Sequence, residues 1–511
     1  MAVSYPRDNK EDRAMRPTPA AYHQATAYDR RAMAPHSLDW AHQPSPYKSY
    51  PVREGVSLPD TPHLPTVNLQ TVYHADRPQA SAAPDLLALS QICLMAAGLT
   101  ARSPHGSDYF YYRSAPSAGA LYPNEIYLAA LNDNALPAGI YHVGVHDRFL
   151  TRIRGNAGLS QLRATVPDLP ADAAAVFLVS GIFFRSAWKY RQRAYRYVLL
   201  DAGHLAENLR LAVAAAGYPG RLHLDFDDRA LDDLLGLDET REGTLCLVSM
   251  TGEGLANRPP GPPATVLSPS ILAASRVSPA EIAYREIAVI HEAAKTVQAT
   301  RQPVPAMVDV LGCSLPEGFG PLPAAAEPPD ALGCADAVLR RRSKRNFVRK
   351  PLALDQLTWL LDLLCRAGRD PIARASVAVG FLAGQVDGLT PGFYLLDAAK
   401  RQMGLVWPGQ AMEAMATVCL DQAWLKNAAV HFIFMSRLDR LGDQWGARAY
   451  RYAMISAGRL GHAVYLGTSA LALGSCGIGA FYDDEAHRLL RLAPGAALLY
   501  LVAAGSVRKE S

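Results

Sequence analysis

The pentapeptide Arg-Ala-Tyr-Arg-Tyr occurs twice, at Arg193–Tyr197 and at Arg448–Tyr452, an offset of 255 residues (448 − 193). The frame holds well past it. At the same offset Ala202-Gly203 faces Ala457-Gly458, and Phe226 faces Phe481. Both stretches run through an Ala/Leu-rich helical segment, a Gly-containing turn, a Phe followed by acidic residues, and an apolar strand ending in Gly252 or Gly505. Recurrence over this length marks two copies of one folding unit. Chemistry is therefore sought where the copies differ.

The 511 residues accommodate two domains of about 200 residues each, with ends and a linker. Half the residues are hydrophobic and 19% are charged, ordinary usage for a soluble globular chain. A net charge of +4, without a basic stripe and interleaved aromatics, points away from nucleic acid. Seven cysteines, odd in number and never spaced C-x-x-C, argue against a disulfide framework or a metal site and fit a reducing cytoplasm. The polar N-terminus lacks the apolar core of a secretory signal. The apolar stretch Leu460–Phe481 carries His462 and several glycines, and reads as a buried helix plus turn rather than a membrane span.

Residues 1–20 are charged and Pro-containing and are expected to be disordered. Residues 21–65, with Tyr22, His23, Trp40 and the run Gln43–Lys48, are too aromatic for a linker and too Pro-rich for a helix, and read as an extended arm laid on a folded surface. The first domain is placed at 66–253. It has a helix from Asp85 to Gly98, strands at Glu125–Leu131 and Ile140–Val145, and a buried strand in the run Ala173–Phe184. A long helix Arg193–Ala216, stopped by Gly217, and a strand Thr244–Ser249 complete it. A Pro-rich linker, 254–334, opens at Arg258–Pro263 and holds one helix, Pro279–Ala299, with Ser278 as its N-cap. The second domain, 335–511, repeats the order: helix Asp355–Cys365, strands Phe393–Leu396 and Val430–Met435, helix Arg448–Leu473, strand Ala497–Val502. Helices and strands mix without a βαβ rhythm, so the class is α+β.

Aligning Asp85 with Asp355 sets Arg341-Arg342-Ser343-Lys344-Arg345-Asn346-Phe347 opposite Thr71–Arg77. Four cations and a Ser in five residues suit a phosphate dianion, since Arg offers forked donors and Ser a hydroxyl; a solvated basic face is the alternative. Conversely, Pro116-Ser117-Ala118-Gly119-Ala120-Leu121-Tyr122-Pro123 faces Ala375–Gly380, which lacks the prolines. Small residues held between prolines let backbone approach a flat ligand closely, or simply build a turn. Lys189-Tyr190 faces Gln444-Trp445, and Leu224-Asp225 faces Gly479-Ala480 within Gly477-Ile478-Gly479-Ala480. A Lys-Tyr pair can supply acid–base chemistry when partly desolvated, although surface pairs are commoner. Each feature is present in one copy and missing in the other.

Together these residues resemble the FMN-dependent nitroreductase superfamily, and within it the SagB-type azoline dehydrogenases. Arg341-Arg342-Ser343-x-Arg345-x-Phe347 resembles the superfamily's opening flavin motif. Pro116–Pro123, Trp188-Lys189-Tyr190, Tyr195-Arg196-Tyr197 with Asp201–His204, and the arm Tyr22-His23-Gln24-x-Thr26 with Gln43–Lys48 resemble SagB-type sequences. The resemblance covers 21–252 and 335–508. It implies tandem nitroreductase-like domains acting as an intrachain pseudo-dimer, with a further homo-oligomer left open. It implies one FMN. Its phosphate and ring would be held by Arg341, Arg342, Ser343, Arg345, Gly477, Ile478, Gly479, Ala480 and Arg508 of copy two. Pro116, Ser117, Ala118 and Gly119 of copy one would complete the site, with Lys189 and Tyr190 assisting proton removal. The implied substrate is an azoline-like heterocycle in a modified peptide or a related small molecule, within a biosynthetic complex that includes a cyclodehydratase. An NAD(P)H-dependent nitro- or quinone-reductase and a non-catalytic flavin scaffold are the other readings.

Overall fold

A computed structural model describes residues 17–33, 36–51, 54–61, 63–74, 83–106, 108–156, 158–252, 266–297, 304–323 and 331–508. The segment 1–16, Arg77 and the run Arg258–Pro263 lie outside them. The described residues divide into two compact units, one within 37–67 and 83–297, the other within 17–36, 68–74 and 304–508.

The first unit is built on a seven-stranded sheet of β1 (Gly55–Ser57), β4 (Asn124–Ala130), β5 (Gly139–Gly144), β6 (Phe149–Arg154), β7 (Ala173–Ile182), β8 (Gly220–His223) and β9 (Glu242–Thr251). The hairpin of β2 (Leu99–His105) and β3 (Asp108–Arg113) stands apart as a two-stranded sheet. The sheet order is β1-β6-β5-β4-β7-β9-β8, with every pair antiparallel. Central β7 is buried over all ten residues, which is why its sequence is continuously apolar rather than alternating. The run Ala173–Phe184 is strand only as far as Ile182; Phe183 opens the helix Phe183–Tyr190.

The second unit repeats the plan with β10 (Gly320–Pro321), β11 (Ala378–Ala383), β12 (Gly392–Asp397), β13 (Gln402–Pro408), β14 (Val430–Arg437), β15 (Gly474–Ile478) and β16 (Ala496–Gly505). Their order, β10-β13-β12-β11-β14-β16-β15, is the same topology. In place of the β2–β3 hairpin, this unit has the short helix Pro371–Ser376 before β11.

The repeated pentapeptide opens the longest helix of each unit, Ala194–Ala215 and Arg448–Ala470. It is buried: Arg193, Arg196, Arg448 and Arg451 are each at most 1% exposed. Its first tyrosine does the same work in both places. Tyr195 Oη lies 3.1 Å from Nδ1 of His291, on the helix Arg285–Ala293, and Tyr450 Oη lies 3.1 Å from Nδ1 of His23, on the helix Pro19–Ala25. The helix Arg285–Ala293 thus belongs to the first unit, and the helix Pro19–Ala25 belongs to the second.

The segments outside the copies depart most from the sequence reading. Proline does not bar a helix at Pro19–Ala25, because Pro19 occupies the first turn, where its missing N–H is no loss, and Thr18 Oγ1 caps Ala21 N at 3.2 Å. The linker helix starts at Arg285, not after Ser278, whose hydroxyl is used by the carbonyls of His42 and Ala280. Leu69–His74 is a helix of the second unit, whereas Arg341–Phe347 follows the helix Cys334–Arg340 as non-helical chain, so the alignment of Arg341–Phe347 with Thr71–Arg77 fails.

Candidate active site

In the first unit, the chain leaving β3 must turn sharply to enter β4, and Pro116–Tyr122 makes that turn. Gly119, Ala120 and Tyr122 have φ of 63°, 54° and 47°. Glycine adopts this left-handed conformation freely, whereas Ala120 and Tyr122 each cost roughly 1–2 kcal/mol. A hydrogen-bond network holds the strained turn. Tyr122 N donates to Ser117 Oγ at 2.9 Å, and Ser117 Oγ donates to Asp201 Oδ2 at 2.5 Å. Ala118 N reaches both Asp201 oxygens at 3.2 Å. Burial pushes the Asp201 carboxyl up to about 7, against the lowering effect of the Ser117 and Ala118 donors.

Lys189 and Tyr190 end the helix Phe183–Tyr190, which Trp188 anchors by donating Nε1 to Asp39 O at 2.7 Å. Their polar tips come together at Gly119. A Cβ placed there would lie 2.8 Å from Tyr190 Oη and 3.2 Å from Lys189 Nζ. Lys189 Nζ is 5.5 Å from the centre of the Tyr190 ring, and that ring packs on Tyr197 with centroids 4.3 Å apart. Tyr197 and Asp201 are four apart on one helix and so share a face: one supports the Lys–Tyr pair, the other the turn. The structure therefore brings Pro116, Ser117, Ala118 and Gly119 together with Lys189 and Tyr190.

The second unit gathers the other candidates. The chain after Arg340 lies beside β15, with a Ser343–Ser475 bridge and Lys344 N donating to Ser475 O at 2.8 Å. Beyond it, Phe347 bridges Val507, and Arg508 N donates to Asn346 O at 3.2 Å, so the chain after the last strand runs alongside. Tyr465 organises the centre. Its Oη accepts from Gly477 N at 2.6 Å and lies 3.0 Å from Ser343 Oγ, and Arg341, buried, sits 5.5 Å over its ring. Burial raises the Tyr465 phenol above its ordinary range. Gly477 is required by packing, since a Cβ would fall on Tyr500 Oη. Ile478 is a buried β15 residue paired with Leu501, and Gly479 and Ala480 follow the strand, half-buried. Ser343, Arg345 and Arg508 are exposed. Arg342 donates Nη1 to the carbonyls of Leu339 and Arg341, at 3.0 and 2.6 Å, at the end of the helix Cys334–Arg340.

Asp201, singled out in the sequence only within the motif Asp201–His204, and Tyr465 were given no role in the site. The repeat frame could have found them: at the 255-residue offset Asp201 faces Ser456, and Arg210 faces Tyr465.

The nitroreductase family model matches residues 86–253 and again 338–506, more than half of the chain. The chain belongs to the nitroreductase family. It is a nitroreductase-like oxidoreductase with the α+β fold duplicated in tandem. A solved nitroreductase-family structure from Anabaena variabilis matches 96% of this chain and all of its own, at 26% identity and a TM-score of 0.77. A Methanocaldococcus jannaschii protein described as a nitroreductase is 25% identical over 165 residues, covering 31% of this chain and 83% of that protein. The microcin B17-processing protein McbC of Escherichia coli is 27% identical over 140 residues, 25% of this chain and 49% of McbC. No helix among the described residues is long and apolar enough to cross a membrane.

Proposed function

We propose that this nitroreductase-family protein is an FMN-dependent dehydrogenase of the SagB type, acting on an azoline-like ring in a modified peptide or a related small molecule. The observation that carries the reading is the meeting of Lys189 and Tyr190 at Gly119, with Gln444 and Trp445 at the corresponding places in copy two. Trp445 keeps the aromatic contact, packing on Tyr452 with centroids 5.4 Å apart, so copy two retains the packing and lacks the titratable tips.

The second unit's residues fit a flavin mononucleotide. Arg341, Ser343, Arg345 and Arg508 are forked or hydroxyl donors suited to a phosphate, and small Gly479 and Ala480 leave room for a flat ring. The buried Asn346 Oδ1, which has no hydrogen-bond partner, supplies an acceptor for a hydroxyl. Bound FMN supplies two-electron redox chemistry. This chain's residues would manage the proton. Oxidising an azoline ring removes a proton from one atom and a hydride equivalent from its neighbour; Tyr190 Oη or Lys189 Nζ, both reaching the Gly119 position, can take that proton when in its deprotonated form. Among the described residues one complete donor set is present, so the reading implies one FMN per chain. McbC is a microcin B17-processing protein, which favours a peptide substrate.

The family's name favours one other reading, an NAD(P)H-dependent nitro- or quinone-reductase. Anaerobic mixing separates them. A thiazoline-containing peptide should bleach the bound flavin, and Lys189→Ala and Tyr190→Phe should slow this by about 10²- to 10⁴-fold at equal flavin loading. Fast bleaching by NADPH, unchanged in both variants, would put the reductase first.

A further inference from the structure

We infer that Asp201 is a positioning residue, a carboxylate latch that fixes the Pro116–Gly119 turn against the Lys189–Tyr190 tips. It rests on the reading that this pair handles the proton. Three observations carry it.

The first is directional. Ser117 Oγ accepts from Tyr122 N, so its single hydrogen is left for Asp201, and Ala118 N adds a second donor to the same carboxyl. Both donors lie immediately before the point where the turn enters its left-handed residues. Asp201 therefore ties down the part of the turn that would otherwise relax toward extended backbone.

The second is the internal comparison. Ser376 faces Ser117, and Ser456 faces Asp201. In the second unit Ser376 Oγ and Ser456 Oγ are 3.5 Å apart, so a hydroxyl stands there in place of the carboxyl. The turn it would hold is absent: Ser376 ends a short helix that leads straight into β11. A small neutral residue at this helix position is compatible with the fold. The carboxylate goes with the strained turn and the Lys–Tyr pair.

The third is reach. A Cβ at Gly119 would meet both polar tips, so the turn lies close against them and loosening the latch shifts the surface that orients them.

The test uses the full flavin-loaded chain with Asp201→Ser, Asp201→Asn, Ser117→Ala and the Asp201→Asn/Ser117→Ala pair. Two readouts are taken: amide hydrogen exchange at Ala118 and Tyr122, and anaerobic flavin reduction by a synthetic thiazoline peptide. Both Asp201 variants should fold and hold flavin, with exchange at the two amides at least tenfold faster. The saturating reduction rate should fall about 10- to 100-fold, with a smaller change in half-saturating peptide concentration. The double variant should be no slower than Asp201→Asn alone, because both act through one contact. Unchanged exchange in Asp201→Ser, or additive losses in the double variant, would overturn the latch. If Lys189→Ala leaves the rate untouched, the proton-handling reading fails instead, and the exchange data still decide the latch.

Discussion

Gly119→Ala separates the chemistry of the turn from its stability. The added methyl has two effects. At φ 63° an alanine costs roughly 1–2 kcal/mol of backbone strain. The methyl also comes within 2.8 Å of Tyr190 Oη, where ordinary contact begins at 3.4 Å, so the tip must retreat by about 0.6 Å. Lys189 Nζ, at 3.2 Å, must give by about 0.2 Å. Both atoms are the far ends of side chains, so the retreat adds little to the cost in stability. Catalysis is less forgiving, because a misplacement of 1 Å can cost about 100-fold, and 0.6 Å predicts a loss of roughly tenfold or more. Gly217→Ala is the control. Gly217 has φ 91° and no atom within 4 Å of the added Cβ, so it carries strain without displacement. In urea unfolding both variants should lose about 1–2 kcal/mol. Only Gly119→Ala should slow anaerobic flavin reduction by the thiazoline peptide. Equal rates in the two variants would show that the Lys189–Tyr190 tips do not need their present positions, and the assignment of the site would fall.

Arg345→Ala should weaken FMN binding about 10- to 100-fold, through loss of one charge-assisted contact of about 1.5–3 kcal/mol, as read by equilibrium dialysis of released flavin. Asp201 should leave a signature in the pH dependence of stability. Its folded value near 7 lies above its ordinary 3.8, so the folded chain keeps a proton that the unfolded chain releases. The stability this gives is complete below pH about 4 and lost as pH rises through about 7, at most about 4 kcal/mol, and Asp201→Asn should remove that slope from urea midpoints between pH 5 and 8. His291→Ala and His23→Ala should each cost about 1–3 kcal/mol in the same assay, because each removes the group facing a buried tyrosine hydroxyl.

The repeat made the fold class legible, because the copies carry the same order of apolar runs and the same stops. Pro116–Gly119 and Lys189-Tyr190 could be singled out because the aligned copy lacks them. Contacts between distant segments could not be read. Ser117 and Asp201 are 84 residues apart, and nothing in either neighbourhood says that they meet. The β2–β3 hairpin escaped because Pro104 and the run Tyr109–Tyr112 blur the alternation that marks a strand. Helix Pro19–Ala25 escaped because proline counts against a helix everywhere except in its first turn. The register error at Arg341–Phe347 came from extending an ungapped alignment past the helix where the copies correspond.

The exchanged helices set a timetable for biosynthesis. Tyr22 is fully buried, its ring 5.2 Å from that of Tyr450, and the neighbouring His23 and Tyr450 are 427 residues apart in the chain. At about 5–20 residues per second, the ribosome needs roughly 20–90 s to make the partner that covers this N-terminal helix. Helix Leu69–His74, whose Leu69 and Val72 are buried, waits almost as long for the second unit. The His291 helix has no such delay, since its tyrosine is already synthesised when it emerges. Newly made chains should therefore pass through a period in which one unit can close while apolar N-terminal segments stand uncovered, the interval in which a chaperone would have most to hold.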